Sequence, residues 1–298
     1  MLNIKNNYNY SCLENDLKIL SSFPEAKIFS IGKSVCGKEL YCIKFGSGKK
    51  NVLYNAAHHG LEWITSPILV KFSFEMLSSK NNRILGYDVK KLLSDTTFHI
   101  IPMVNPDGIE ISQEGISKDS SDYDKYSKWN KGEDFKSKWQ ANANGVDLNH
   151  NYDACFSLSK RMNENSGISG PNYTKYTGEF AESEPETHSL CEYVRKNRFC
   201  LTLSFHSQGE VIYYDYNGHV PPRGYEIGKI LCKESGYVFD KATGLTACGG
   251  FKDWFIKIYN MPSYTIEVGK GKNPLPFSQF DDIYKKNLPL MLSAAALA

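Results

Sequence analysis

The chain alternates strand-like and helix-like segments along its length, and this alternation constrains the fold more than any other feature. "KNVLYNAAHH" is an apolar run suited to a central strand, and "SPILVKFSFEML" continues as a helix with Pro67 in its first turn. Further strand-like runs include "TTFHIIPMVN", "FCLTLSFHS" and "PSYTIEVG", and no repeat or linker interrupts the pattern. We therefore predict one α/β domain over residues 1–298, with a mixed, mostly parallel twisted sheet flanked by helices.

Three local patterns give more specific expectations. The segment from Asp107 to Asn151 is polar and irregular, which predicts a long loop that carries function. Ser183 and Glu186 have capping-box spacing, which predicts that a helix begins there. "VNPDG" (Val104–Gly108) has strong turn chemistry and is expected to be structural.

Composition limits the kinds of partner. Lys plus Arg (35) nearly balances Asp plus Glu (33) without a long run of like charge, so nothing indicates a nucleic-acid partner. No segment has the length of a membrane span or the core of a signal peptide, so we expect no membrane insertion and a cytoplasmic protein, with spore association or non-classical release as alternatives. The eight cysteines lack C-x-x-C spacing, which favours reduced thiols. The oligomeric state stays open.

Polar residues with metal-binding or acid-base chemistry follow or end several predicted strands. His59 and Glu62 follow one strand, while His206 and Glu267 each end another. Ligands of open α/β sheets bind beyond the carboxyl ends of strands, so these residues can converge. Two imidazoles and one carboxylate are a familiar catalytic zinc set, and a second glutamate is then the natural general base. Each residue alone has an ordinary structural explanation, so the hypothesis depends on the whole set.

Six sequence blocks resemble the zinc carboxypeptidase (funnelin) family, in the family's order. The blocks are "HHGLEW", "VNPDG", "GVDLNHN" (Gly145–Asn151), "SFHSQG" (Ser204–Gly209), "GGFKDW" (Gly249–Trp254) and "YTIEVG" (Tyr264–Gly269). Because they spread from residue 58 to residue 269, the resemblance covers most of the chain.

The resemblance implies a role for each residue of the set. The implied ligands of one Zn²⁺ ion per chain are His59, Glu62 and His206. Glu267 is then expected to promote attack of water on an amide carbonyl and to pass the proton to the leaving nitrogen. Asp147 is expected to accept a hydrogen bond from the other nitrogen of His59, with a turn-stabilising aspartate as the alternative. His58 is not expected to bind the metal.

The chain departs from the family where a substrate carboxylate is bound. Asn149 of the family's Asn-Arg pair is kept, but His150 stands where the arginine belongs. Histidine lacks the rigid bidentate fork of arginine, which argues against ordinary C-terminal trimming. A second family arginine, which steadies the oxyanion, is replaced by Gln140 or Asn144, both possible uncharged donors. Leu245 lies near the place of a family tyrosine.

Lys252 lies at the family position that lines the base of the pocket for the residue after the scissile bond. A cation there favours a substrate side chain with a carboxylate, unless Lys252 is a solvated surface lysine. The chain thereby resembles the branch that cleaves γ-D-glutamyl-meso-diaminopimelate bonds of peptidoglycan peptides. The alternatives are a carboxypeptidase for acidic C-terminal residues and a weak or inactive zinc-containing peptide-binding protein.

Overall fold

The computed structural model describes residues 2–298, apart from the side chains of Leu245 and Thr246. Its strands are β1 (Lys27–Lys33), β2 (Glu39–Gly46), β3 (Lys50–Ala56), β4 (Arg83–Ile84), β5 (Tyr87–Asp88), β6 (Thr96–Ile101), β7 (Leu201–Ser207), β8 (Val211–Tyr213), β9 (Val238–Asp240) and β10 (Ser263–Val268). Eight of them form one sheet in the order β1-β2-β6-β3-β7-β10-β8-β9, and β4 pairs with β5. The central strands β6, β3, β7 and β10 are parallel to one another, while β2 and β8 join them in antiparallel pairs. The predicted fold class is therefore confirmed.

Helices lie along both faces of the sheet. They are α1 (Tyr10–Leu20), α2 (Thr65–Ser78), α3 (Val89–Asp95), α4 (Pro106–Glu114), α5 (Tyr123–Trp129), α6 (Phe135–Lys138), α7 (Phe156–Asn165), α8 (Pro185–Lys196), α9 (Gly224–Ser235), α10 (Phe251–Tyr259) and α11 (Phe280–Leu297). Short 3-10 turns occur at Gly60–Glu62, Leu148–His150, Gly244–Ala247 and Phe277–Gln279. Among the described residues, no helix combines the length and the apolar character needed to cross a membrane.

Strand β3 shows why its sequence is continuously apolar. Val52 and Tyr54 point into a core shared with α1, α2, α9 and α11, whereas Leu53 between them joins a second core with α8 and α10. All three side chains are fully buried. A strand covered on both faces cannot alternate apolar and polar residues, so this run has the pattern of a central parallel strand.

Two local sequence expectations need correction, and a third is confirmed. The segment after Asp107 is not one long loop, because it contains the end of α4, then α5, α6 and a 3-10 turn. "VNPDG" is structural, as expected: Asn105 caps α4 by accepting a hydrogen bond from Gly108, and Pro106 occupies the first helical position. The capping box is also wrong, because Glu184 is the N-cap of α8 and Glu186 instead accepts a hydrogen bond from the backbone of Val35.

Candidate metal centre and active-site cleft

The candidate ligands gather at the carboxyl ends of neighbouring strands. His59 lies just beyond β3, His206 is the second-last residue of β7, and Glu267 is directly opposite His206 on β10. Because β3, β7 and β10 are adjacent and parallel, their carboxyl ends lie at one edge of the sheet. This edge is where a ligand of an α/β sheet is expected to bind.

A candidate metal site is formed by His59, Glu62 and His206, whose ligand atoms all lie within 4.8 Å of one another. Nδ1 of His59 is 2.9 Å from Oε1 of Glu62, and Nδ1 of His206 is 3.0 Å from Oε2. Burial favours the neutral form of Glu62, but the two imidazoles outweigh it and lower the pKa of this carboxyl to about 2. Two imidazole nitrogens and an anionic oxygen fit zinc, which leaves a fourth position open in catalytic sites.

A tight turn presents His59 and Glu62 on the same side of the chain. Gly60 begins this 3-10 turn, and a Cβ atom on it would lie 2.2 Å from the carbonyl oxygen of Gly108 in α4. The turn can therefore pack against α4 only with glycine at this position. At its other end, Oγ1 of Thr65 donates a hydrogen bond of 2.7 Å to the carbonyl of Glu62. The two ligands are thus fixed by backbone contacts.

Asp147 contacts the far side of the His59 ring. Its Oδ1 is 3.0 Å from Nε2 of His59, and its Oδ2 accepts a hydrogen bond of 2.9 Å from the backbone of Lys175. Burial alone would lower the pKa of His59, but the carboxylates of Glu62 and Asp147 raise it well above its ordinary value. The two carboxylates therefore make this ring more basic, and hence a better donor to a cation. A carboxylate in this position orients a metal-binding imidazole and makes it more basic.

Glu267 is half-buried at the wall of the cleft. Desolvation, together with the nearby carboxylate of Glu62, raises the pKa of Glu267 well above its ordinary value. Its carboxylate consequently binds a proton more readily than an exposed glutamate. That property suits a group that takes a proton from water and later releases it.

His58 lies beside the ligands without joining them. Its Nε2 is 2.9 Å from the hydroxyl of Tyr152, and its ring stacks on His206 with centroids 5.2 Å apart. Burial is the main cause that lowers the pKa of His58 well below its ordinary value, so the ring is neutral. It packs beneath the candidate metal site as a support.

The candidate metal centre opens into a cleft of about 520 Å³. The side chains around the cleft are mainly polar and come from several connecting segments. They include His59, Gln140, Asp147, Asn149, His150, Thr174, Lys175, Ser207, Gln208, Tyr213, Lys252, Asp253, Glu267, Lys272 and Asn273. A pocket of this size and polarity suits a short polar ligand rather than an apolar one.

Comparison with known families agrees with this geometry. A family model described as zinc carboxypeptidase matches residues 15–290. The chain belongs to the zinc carboxypeptidase family. It is therefore a metallopeptidase, and the predicted cofactor, zinc, is confirmed as the metal of its family. His59, Glu62 and His206 are the candidate ligands for it.

Two bacterial relatives match nearly the whole chain. Gamma-D-glutamyl-L-diamino acid endopeptidase 1 from Lysinibacillus sphaericus is 34% identical over 300 residues, which span 100% of this chain and 74% of the relative. The uncharacterized protein YqgT from Bacillus subtilis (strain 168) is 33% identical over 282 residues, covering 93% of this chain and 74% of that protein.

Solved structures share the fold at lower identity. Bovine thrombin-activatable fibrinolysis inhibitor, solved in complex with tick carboxypeptidase inhibitor, gives a TM-score of 0.73 at 18% identity, covering 97% of this chain and 96% of that chain. Murein-tripeptide amidase MpaA from Escherichia coli O157 gives a TM-score of 0.56 at 22% identity, covering 92% of this chain and 94% of that chain. At these identities the likeness shows the fold alone.

Within this zinc carboxypeptidase, Asn149 and His150 both line the cleft. Oδ1 of Asn149 accepts a hydrogen bond from the backbone of Phe251, which leaves its Nδ2 donor for a ligand. Nδ1 of His150 is 3.2 Å from the hydroxyl of Ser159. Burial lowers the pKa of His150, so this residue carries no positive charge at neutral pH. The charge that the family's arginine would supply is therefore missing here.

Lys252 lines the cleft but is not the solvated lysine that the sequence left open. Its side chain is only 3% exposed, and its Nζ contacts Oδ1 of Asp253 and the carbonyl of Asp215. Asp253 is equally buried and also lines the cleft. The floor of the cleft is therefore a cation paired with an anion, which neutralises most of the charge expected of Lys252.

The structure distinguishes the two candidate oxyanion donors. Gln140 lines the cleft, and its Oε1 accepts a hydrogen bond from Thr174. Asn144 is directed elsewhere, because its Nδ2 donates a 2.9 Å hydrogen bond to Glu184. Of the two, only Gln140 faces the space beside the metal centre. The side chain of Leu245, near the place of the family tyrosine, lies outside the described residues.

Sequence reasoning missed several residues of the cleft, notably Lys175, Gln208, Tyr213 and Lys272. Gln208 lies within the block that contains His206, and Lys272 follows the block that contains Glu267. This proximity to the blocks is a sequence signal that could have identified Gln208 and Lys272. Lys175 has no comparable signal, because it belongs to an irregular segment that is placed at the cleft by contacts with Asp147 and Gln140, both distant in sequence.

Proposed function

We propose that this metallopeptidase hydrolyses the amide bond between γ-D-glutamate and a diamino acid such as meso-diaminopimelate in peptidoglycan-derived peptides. The observation that carries the proposal is the 34% identity, over the entire chain, to a relative named for that bond. The neutral His150 adds support, because it weakens the arginine-dependent grip on a C-terminal carboxylate that ordinary trimming requires.

The cleft floor is compatible with a diamino acid. The far end of diaminopimelate carries an ammonium and a carboxylate, and the floor presents Lys252 beside Asp253. Opposite charges on both partners permit two complementary contacts, whereas a simple acidic side chain would face Asp253 as a like charge. This arrangement favours the diamino acid over the alternative of an acidic C-terminal residue.

In the proposed reaction, zinc held by His59, Glu62 and His206 would polarise the scissile carbonyl and make a water molecule more acidic. Glu267 takes a proton from the attacking water and delivers it to the leaving nitrogen of the diamino acid. Gln140 donates a hydrogen bond to the carbonyl oxygen as negative charge develops there. Asp147 keeps His59 in the tautomer that presents Nδ1 to the metal.

Hydrolysis of defined peptides tests the proposal. Zinc-loaded protein is incubated with L-Ala-γ-D-Glu-meso-diaminopimelate, with the same peptide joined through the α-carboxyl, and with an ordinary peptide ending in glutamate. We expect free diaminopimelate, detected by mass spectrometry, only from the γ-linked peptide. Release of glutamate alone would favour the carboxypeptidase alternative, and cleavage of no peptide would favour the binding protein. The cytoplasmic location stays a prediction that fractionation of cells can test.

A further inference from the structure

Three lysines line the cleft, and they differ in whether the ammonium group is already paired with an acidic side chain. Lys252 is buried against Asp253. Lys175 and Lys272 are exposed, and within the described part of the chain neither ammonium group has an ion-pair partner. Two free cations therefore remain available to an anionic ligand.

The segment that carries Lys175 is held by hydrogen bonds to Asp147 and Gln140. The backbone amide of Lys175 donates to Oδ2 of Asp147, and the preceding Thr174 donates to Oε1 of Gln140. The backbone of Lys175 has a φ of 65°, a left-handed conformation that non-glycine residues seldom adopt. These two hydrogen bonds hold the residue at a fixed place on the cleft wall.

Lys175 lines the same cleft as Asn149 and His150. Its side chain is exposed, so its ammonium group is accessible to a ligand in that cleft. Lys272 also lines the cleft, but it belongs to the segment that follows β10.

A substrate carboxylate needs a cation in the cleft. Desolvating a carboxylate without a charged partner is unfavourable, and neither Gln140 nor the neutral His150 supplies a charge. A lysine ammonium is a mobile point charge on a flexible stem, so it can reach a carboxylate without the rigid fork of arginine. Such a contact selects for negative charge but imposes little geometry, which suits an enzyme that does not trim ordinary C-termini.

We propose that Lys175 binds a carboxylate of the leaving diamino acid and so supplies the cation that the family's arginines would otherwise provide. The choice of the diamino acid rests on the proposed function, whereas the carboxylate contact does not. Lys175 is a specificity-determining residue in this proposal, and it takes no part in proton transfer.

Steady-state kinetics of Lys175→Met, with a paired set of substrates, test the proposal. Each variant is assayed on the γ-linked peptide with free carboxylates and on the same peptide with the diamino acid amidated. Lys175→Met should raise KM for the carboxylate form roughly ten-fold, the size expected for a charge-assisted hydrogen bond, with little change in kcat. KM for the amidated form should be nearly unaffected by Lys175→Met. Lys175→Arg should retain most of the affinity for the carboxylate form. The difference in KM between Lys175→Met and the unmutated protein should shrink at high salt.

Lys272→Met is the matched control, because it removes the charge of a second exposed lysine that lines the cleft but belongs to a different segment of the chain. Equal losses on both substrate forms, or the same selective loss in Lys272→Met, would overturn the assignment to Lys175. If the unmutated protein cleaves neither form, the proposed function fails, but the carboxylate contact is still tested. Calorimetric titration of zinc-loaded Glu267→Gln protein with the two forms, with and without Lys175→Met, should then show selective weakening for the carboxylate form. Equal affinities for the two forms with and without Lys175→Met would overturn the proposal.

Discussion

Glu267 and His206 are directly opposite each other on the parallel strands β10 and β7. The candidate base and a candidate metal ligand are thus joined by the hydrogen bonds of the central sheet and not by a mobile loop. Their backbone positions are consequently fixed before any ligand binds. A fixed geometry of this kind lowers the cost of aligning a water molecule with a substrate carbonyl.

Replacement of the base tests the role of Glu267. We expect Glu267→Gln to lower kcat by roughly 10²–10⁴-fold, the usual contribution of a positioned acid-base group. Zinc content and the thermal unfolding midpoint should match those of the unmutated protein, because glutamine has nearly the same shape. Full activity in this variant would show that another group takes the proton.

Zinc affinity tests the contact between Asp147 and His59. Asp147→Asn should weaken zinc binding roughly 10–100-fold, because an amide supports the imidazole less strongly than a carboxylate. Competition with a chelator of known affinity measures the change. Asp153→Asn is a suitable control, since Asp153 is exposed and pairs with Lys257 away from the cleft. Equal zinc affinity in Asp147→Asn and the control would leave only the turn-stabilising role.

The ion pair at the cleft floor should affect stability as well as substrate choice. Lys252→Met leaves Asp253 buried without its cation and should lower the free energy of unfolding by about 3 kcal/mol. The double change Lys252→Met with Asp253→Asn should recover most of that loss, because no buried charge then remains. Urea unfolding of the zinc-loaded proteins measures the free energy of unfolding of the single and the double variant. Equal destabilisation in the single and double variants would contradict a coupled pair.

Stability should depend on pH through Glu186, which is fully buried beside Asn142 and Val35. Burial raises the pKa of Glu186 from 4.5 to about 8. Between these values the unfolded chain releases the proton while the folded protein retains it, so the free energy of unfolding falls as pH rises through this window. Below pH 4.5 both states hold the proton, and the contribution no longer changes.

Glu186→Gln removes this titration. Between about pH 5 and pH 8, the fall in the free energy of unfolding should therefore be smaller by roughly 2–4 kcal/mol in the variant. Glutamine resembles the protonated carboxyl, and its oxygen can still accept the hydrogen bond from Val35. Chemical denaturation at several pH values measures the slope. Parallel curves for the variant and the unmutated protein would show that Glu186 does not titrate in this window.

Local patterns allowed much of the fold and the metal centre to be predicted. The apolar runs that form β3 and α2 consist of neighbours in sequence, so both elements are recognisable without a structure. His59 and Glu62 belong to one short turn, which makes their spacing equally local. Asn105 shows the limit, because the residue recognised as turn chemistry serves as a helix cap and also donates to the carbonyl of His58.

The α/β class, the zinc ligand types and the glutamate beside them could be read from the amino-acid sequence, because strand ends and short motifs encode these features locally. Tertiary packing was needed to reveal that Lys252 is buried against Asp253, that Asn144 turns away to Glu184, and that Lys175 reaches the cleft wall. The charge and exposure of a side chain depend on which distant groups fold against it, and sequence spacing does not contain that information.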